Sequence, residues 1–489
     1  MTESLALALV LPLVGALLAV VWPTRAASLG VLAVVLNACN TALLTLAVWR
    51  QGTVRADFGG WGAPLGIGYS ADGLSAAMLA MTALVTLAIS VNAAGYFRDS
   101  ARARHFWPLW LLLVTSLNGL FLAADLFNIY VSLELLGLTA AALGALGGQR
   151  AALEANLRYL LVGLLGSMTY LLGVALVYAG FATLDFALLT ERLSAGLAER
   201  QMPSPIAATA LGLMVLGLAL KAALFPLHFW LPPAHGSAPA PVSAALSALV
   251  VKAAFYLVLR LWLLVLAPVT TQGGANVLGW LGAGAVLWGS WQALRAERLK
   301  LLAAYSTVAQ LGYLFLFFPI MQALPPGGTR DNLLVALVLM AITHGFAKAG
   351  FFLAAGFMQQ QAGHDRIAEL GPVMQRLPAT TLTLALAGTA LIGLPPSGSF
   401  IAKWLLLGGA FATGQWWWVL VLLAGTLLAV AYVFRLLTLA FGLEPTPRHF
   451  VTQAGAEMPA LLLAAMAVAA LGLATAPLWR LLGVAGGAS

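Results

Sequence analysis

The sequence predicts an all-α integral membrane protein of about fourteen transmembrane helices, and three observations carry that reading. The first is composition: of 489 residues, 62% are hydrophobic and 8% charged, and the mean hydropathy is +0.96, far outside the range of water-soluble chains. The second is spacing. A helix needs about 20 apolar residues to cross a bilayer, and such runs begin near residues 3, 27, 72, 107, 125, 155, 206, 238, 274, 299, 332, 378, 415 and 457. The third is the placement of charge. Of five lysines, Lys221, Lys252, Lys348 and Lys403 fall inside apolar runs, and Lys300 is assigned to a loop.

The arginines fix an expected topology. With an external N-terminus, the loops after odd-numbered runs hold Arg25, Arg98, Arg102, Arg104, Arg150, Arg158, Arg295, Arg298, Lys300, Arg366, Arg376, Arg435 and Arg448. The other side holds Arg50, Arg55, Arg192, Arg200, Arg260, Arg330 and Arg480. Thirteen against seven puts the first set in the cytoplasm, with both termini outside it. The expected location is a bacterial plasma membrane. Because the basic residues are spread through short loops, the net charge of +8 does not point to nucleic acid.

Taken in order, the first run carries Glu3 with no basic residue before it, which reads as a retained helix rather than a secretory signal. The second holds the single cysteine, Cys39, so an internal disulfide and a cysteine-ligated metal or cluster are excluded. Gln51 to Gly68, rich in Gly and Trp, reads as a loop on the outer face. The third run starts after Asp72; the fourth and fifth form a tight hairpin holding Asp125 at a helix start and Glu134 near a helix middle. Nine residues at about 100° each put those two acids on roughly opposite faces. Between the sixth and seventh runs, FALLTERLSAGLAER has helical apolar spacing with charges opposite and reads as a surface-lying helix.

The stretch from Leu220 to Leu261 organises the rest. Lys221 and Lys252 flank Pro226, Pro232, Pro233, Pro239 and Pro241, with His228 and His235 between them. An ammonium at mid-bilayer depth costs about 2.5–3.5 kcal/mol on insertion scales. Irregular backbone there is tolerated only where protein or water satisfies it. The tenth run adds Tyr305, Ser306, Thr307 and Gln310; the eleventh places His344 and Lys348 four apart on one helix face. The twelfth is broken at GLPPSGSF, with Lys403 just beyond, and Arg435 sits near one end of the thirteenth. The seventh and twelfth runs thus share a proline break beside a lysine, the pattern of paired broken helices in inverted repeats. The expected division is peripheral helices over residues 1–105, repeats of five helices over 106–267 and 268–442, and a last helix within 443–489. Lysine can release a proton inside a protein, whereas arginine effectively cannot, so lysines inside and arginines in the loops suit proton movement.

A Walker A loop, a dinucleotide-binding glycine fingerprint, haem-spaced histidine pairs and hydrolytic triads are all missing. No cofactor, redox centre or hydrolytic site is expected in the chain itself.

NGLFLAADLFNIYVSLELL, the stretch from Leu220 to Leu261, HGFAKAGFFLAAG and GLPPSGSFIAKWLLL together resemble the antiporter-like subunits shared by respiratory complex I, membrane-bound hydrogenases and multisubunit Na+/H+ (Mrp-type) antiporters. The likeness covers nearly the whole chain. It implies a midplane proton path through Glu134, Lys221, Lys252 and Lys403, with His344 and Lys348 as a relay and His235 and Asp125 as further candidates. NGLFLAADLFNIYVSLE and the lysine of the twelfth run look most like the D subunit of Mrp-type antiporters. The Ala-His pair in LPPAHGSAPAPVSA is similar to the complex I and hydrogenase branches. What the resemblance implies is a proton-translocating subunit of a cation/proton antiporter, with other membrane subunits as partners and Na+ as the candidate exchanged cation. The alternatives are the pumping arm of a redox complex and the proton-coupling subunit of an inorganic-carbon uptake complex.

Overall fold

The computed structural model describes residues 2–98, 100–200, 204–442, 457–473 and 475–483. Arg448, counted above for topology, lies outside the described residues. The helices follow the apolar runs. They are α1 (Thr2–Val21), α2 (Ala26–Gln51), α3 (Gly73–Tyr96), α4 (Ala103–Leu122), α5 (Leu126–Ala145) and α6 (Arg150–Phe181). The surface helix α7 (Phe186–Arg200) follows, then the broken pair α8 (Pro205–Lys221) and α9 (Leu231–Ser237). Next come α10 (Ala240–Val265), α11 (Gln272–Arg295), α12 (Leu299–Gln322) and α13 (Gly328–Ala362). The second broken pair is α14 (Pro378–Ile392) and α15 (Gly398–Ala412), followed by α16 (Trp417–Phe441), α17 (Met458–Leu473) and the short α18 (Ala476–Leu481). Among the described residues ten helices are long and apolar enough to cross a membrane; α8, α14, α15 and α17 are shorter and apolar. The molecule is therefore a mostly helical, multi-pass membrane protein.

The expected loop at Gln51–Gly68 is instead largely a hairpin, β1 (Val54–Phe58) antiparallel to β2 (Ile67–Ala71), with Val54 opposite Ala71. Alternation explains it: Val54 is buried and Arg55 exposed, the period-two pattern of a half-buried strand. Arg55 meets Asp185 at 2.7 Å, and Asp185 also accepts from the Ala187 and Leu188 amides at the start of α7. This end of the bundle, which also carries α18 beside Gly73, is the hairpin face. The opposite end, with Arg25, Arg98, Arg102, Arg298 and Arg366, is the arginine face.

Helix starts follow side-chain caps that satisfy the first free amides. Asp72 and Ser75 form a reciprocal capping box for α3, and Ser397 accepts from the Phe400 amide at α15. Burial sets the layering: 94% of the most apolar window of α13 is enclosed, against 33% for α1, so α13 runs through the centre and α1 lies at the rim.

Both breaks are present, and their freed carbonyls are used. Trp230 Nε1 donates to the Leu220 carbonyl at 2.9 Å, which stitches the turn between α8 and α9. Beyond α14, Gly393 takes φ +83°, a left-handed geometry suited to glycine. Its neighbours Leu391 and Ile392 accept from Gln310 and Lys403. In α10, wider π-turns occupy Leu246–Val250 and Leu261–Val265, of the kind that frequently marks functional positions.

Two placements differ from expectation. Lys300 is not in a loop: it sits in the first turn of α12, 3% exposed. Arg260 is not in an outer loop either: the second π-turn carries α10 on to Val265, leaving Arg260 inside the helix and 8% exposed.

Candidate functional site

Glu134 lies midway along α5 and Lys221 is the last residue of α8. Their Oε1–Nζ distance is 4.0 Å, the loose end of ion-pair geometry, and Lys221 also reaches the Leu133 carbonyl at 3.5 Å. The Lys221 side chain is 9% exposed and that of Glu134 24%, so the acid sits at the rim of the bundle and the lysine inside it. Gly137 and Gly166 make room: a Cβ on Gly137 would lie 3.5 Å from Lys221 Nζ, and one on Gly166 3.3 Å from its Cγ.

Beyond this pair the partners change in kind. Among the described residues, Lys221 is the one buried lysine with a carboxylate within 4.0 Å. Lys252 Nζ donates at 2.6 Å to the Ser247 carbonyl, an acceptor in the first π-turn. The Ser247 hydroxyl lies 2.8 Å from Thr307 Oγ1 on α12. On the same helix, Ser306 Oγ accepts from Lys348 Nζ at 2.5 Å, with the Ala303 carbonyl at 2.8 Å. His344, one turn before Lys348 on α13, is buried with no protein partner for either ring nitrogen among the described residues. Lys403 Nζ, on α15, donates to the Ile392 carbonyl at 2.9 Å and to Thr426 Oγ1 at 3.1 Å. It stands 4.1 Å from the centre of the Tyr313 ring, within cation–π range.

One helix thus connects the array. Ser306, Thr307, Gln310 and Tyr313 of α12 touch, in turn, the surroundings of Lys348, Lys252, the α14 break and Lys403. Thr307 and Ser306 also bond back to carbonyls of their own helix, so each hydroxyl bridges a lysine's neighbourhood to rigid backbone. From sequence these residues have two readings, helix packing or ordering of a channel, because a hydroxyl in a membrane helix commonly serves the first alone.

The remaining candidates separate. His235, on α9, is fully buried, packs edge-on to Phe352 of α13 with centroids 5.7 Å apart, and has no protein partner at either nitrogen among the described residues. Buried polar atoms of this sort are usually satisfied by ordered water. His228 stacks on Phe225 at 5.5 Å. Asp125 is not brought to the lysines: it caps α5 by accepting from the Asn128 amide at 2.7 Å. Burial holds its carboxyl above the ordinary range, nearby Asp185 adds to that, and the cap amides work the other way. Lys300 is the residue that hydropathy alone passes over. Its ammonium donates to the Ala238 carbonyl between α9 and α10, at the arginine-face end of the array. Its position next to LLAAYSTVAQLGY, a run that starts without a cap, is the signal that the sequence does carry.

A multi-pass membrane bundle that holds buried lysines on α8, α10, α12, α13 and α15 defines a class: an integral membrane protein with cationic side chains enclosed among its helices. The chain belongs to the NADH:quinone oxidoreductase/Mrp antiporter family of transmembrane proteins, whose pattern matches residues 123–429. That span runs from before Glu134 to just past Thr426 and contains all five lysines of the chain. Among relatives, NADH-quinone oxidoreductase subunit N of Desulforudis audaxviator is 35% identical over 419 residues, 85% of this chain and 80% of that one. The D subunit of the Na+/H+ antiporter of Bacillus subtilis is 26% identical over 464 residues, 92% of this chain and 90% of that one. Among solved structures, a chain of the Mrp complex from a Dietzia species superposes with a TM-score of 0.87 at 25% identity, covering 99% of this chain and 97% of that one. A chain of respiratory complex I from Thermus thermophilus gives 0.82 at 26% identity, covering 98% and 97%.

Proposed function

We propose that the chain moves protons through the membrane along Glu134, Lys221, Lys252, the His344/Lys348 pair and Lys403, as one subunit of a multisubunit cation/proton antiporter of the Mrp kind. The observation that carries the reading is the partner pattern. One lysine is loosely paired to an acid, and the next three are held by uncharged groups, namely carbonyls, hydroxyls and aromatic rings. Such acceptors hold an ammonium without neutralising it, so each lysine can pass on a proton without a carboxylate trapping it. A proton arriving near Glu134 weakens an ion pair already at 4.0 Å and frees Lys221 to discharge towards Lys252. His235 and His344, with water at their free nitrogens, bridge the gaps, and Lys403 delivers the proton into the second half. Asp125 has a capping role only. A membrane potential of 100 mV supplies about 2.3 kcal/mol per charge crossing, enough to bias such steps.

The antiporter assignment is supported by the fuller coverage of the B. subtilis antiporter chain, 92% and 90% against 85% and 80% for the D. audaxviator chain, and by the higher TM-score of the Dietzia Mrp chain, 0.87 against 0.82 for complex I. A second reading, the pumping arm of an NADH-quinone oxidoreductase, is favoured by the 35% identity to the D. audaxviator chain. Both need partner subunits. The face of α5 bearing Glu134 also exposes Phe127, Val131 and Leu138, so a carboxylate at membrane depth meets lipid unless a neighbour covers it. The arginine face is proposed to be cytoplasmic. The test is transport by the whole complex in proteoliposomes. Glu134→Ala and Lys221→Ala are each expected to abolish proton movement while the complex still assembles; either variant transporting at the parental rate removes the pair from the path.

A further inference from the structure

On α10, Lys252, Tyr256 and Arg260 are spaced four apart and so stack on one helix face, rising about 6 Å per step towards the hairpin face. Tyr256 is 1% exposed. Its hydroxyl donates to the Phe121 carbonyl at 3.0 Å and accepts from Arg260 Nε at 2.7 Å. Arg260 turns its other arm to Asp72, meeting both carboxylate oxygens at 2.8 and 2.9 Å. Asp72 in turn caps α3. The pair lies between two pockets at the hairpin face. Asp72 lines one of about 400 Å³, with Trp49, Leu259 and Arg480. Arg260 lines the other, of about 420 Å³, with Arg55 and Glu191.

A clamp between α3 and α10 needs only the Arg260–Asp72 contact. Here the guanidinium also bonds the Tyr256 hydroxyl, and Tyr256 stands one helix turn from Lys252, between it and Arg260 along α10. Arg260 therefore makes two contacts at one place: it ties α3 to α10 through Asp72, and it holds the hydroxyl of Tyr256. We propose that Tyr256, Arg260 and Asp72 form a gate between the hairpin-face pockets and Lys252, so that parting Arg260 from Tyr256 admits water to the lysine row from that side. The inference rests on the proton-path reading above, but its test reads access rather than transport. A failed gate and a failed path are therefore told apart.

The test uses the whole complex in proteoliposomes, in a Cys39→Ser background that removes the single native cysteine. Leu249→Cys places a thiol one turn below Lys252, at a side chain with 0% exposure, and Val85→Cys places one inside α3, also at 0%. A positively charged, membrane-impermeant methanethiosulfonate is applied to each side in turn. Arg260→Ala is expected to speed labelling at position 249 at least tenfold from the hairpin face and to leave position 85 unchanged. Equal acceleration at both positions means that Arg260 only clamps the bundle, and no acceleration at 249 means that it closes nothing; either result overturns the gate. Tyr256→Phe, which leaves the Arg260–Asp72 pair in place, is expected to speed labelling at 249 several-fold. It decides the matter if Arg260→Ala fails to assemble, since parental labelling at 249 in that variant also overturns the proposal.

Discussion

Lysine and arginine carry the same charge, and at Lys403 the difference between them separates a structural cation from a proton carrier. The ammonium is held by the Ile392 carbonyl, Thr426 and the Tyr313 ring, contacts that a guanidinium can largely reproduce. A guanidinium effectively never gives up its proton in a protein. Lys403→Arg is therefore expected to assemble with a loss of stability of about 1–3 kcal/mol for a larger head group in a packed site, while transport falls by two orders of magnitude or more. Parental transport by Lys403→Arg would show that the position supplies charge alone. Asp72 makes a separate prediction. Burial works against its ionisation, but Arg260 and the Ser75 cap outweigh that and hold its carboxyl below the ordinary carboxylate range. A carboxyl with a lower pKa folded than unfolded contributes stability above its unfolded value of about 3.9, and that contribution is lost as pH falls through the folded value. Breaking a buried pair by removing one partner costs roughly 3–5 kcal/mol, and the 27% exposure of the Asp72 side chain puts this one towards the lower end. Asp72→Asn is expected to melt below the parent at pH 7, with the two melting curves converging below about pH 4; a constant gap across that range would remove the ion pair as the cause.

At the scale of elements, the broken helices do the positioning. A continuous helix ties each carbonyl to the amide four residues on; the break after α14 releases the Ile392 carbonyl to Lys403, and the first π-turn of α10 leaves the Ser247 carbonyl to Lys252. Gly393 permits the first of these. Its φ is +83°, and a Cβ there would stand 2.9 Å from Lys403 Cδ. Left-handed geometry costs a residue with a Cβ roughly 1–2 kcal/mol, and the methyl would also displace the lysine. Gly393→Ala is expected to lower the melting temperature modestly and transport severely; normal transport would mean that Lys403 does not need the Ile392 carbonyl. The breaks themselves were legible, since a proline cluster beside a lysine within an apolar run is incompatible with a plain spanning helix. So were Glu134 and the spacing of His344 and Lys348. Lys300 and Arg260 were not, because hydropathy sees a cation near the end of a run and assigns it to the adjoining loop. What buries Arg260 is Asp72, 188 residues away, and what buries Lys300 is a carbonyl at position 238. The β1–β2 hairpin was hidden in the same way: its five-residue strands are too short to stand out beside Gly and Trp. The roles of Ser306 and Thr307 depend on which helices flank α12, which periodicity alone cannot say.

For the whole molecule, the decisive fact is that Glu134, the acid paired with Lys221, sits at the bundle rim. Glu134 has a quarter of its side chain exposed, on a face of α5 otherwise lined with Phe127, Val131 and Leu138. A charged group in hydrocarbon costs several kcal/mol unless protein or water covers it, which is the ground for proposing that a partner subunit covers this face. The solved structures that it resembles are chains of multisubunit membrane complexes, which fits that requirement. Purifying the tagged chain from its native membrane under mild detergent and identifying what comes with it therefore tests both the need for partners and the choice between readings. Small hydrophobic membrane subunits without a redox protein are the expected result and make the chain part of a secondary cation/proton antiporter. Co-purifying iron–sulfur or flavin subunits would overturn that assignment and make the same lysine row the proton arm of a redox enzyme. A chain recovered alone and still transporting would contradict the argument from Glu134, because it would show an acid at membrane depth working with no neighbour to cover it.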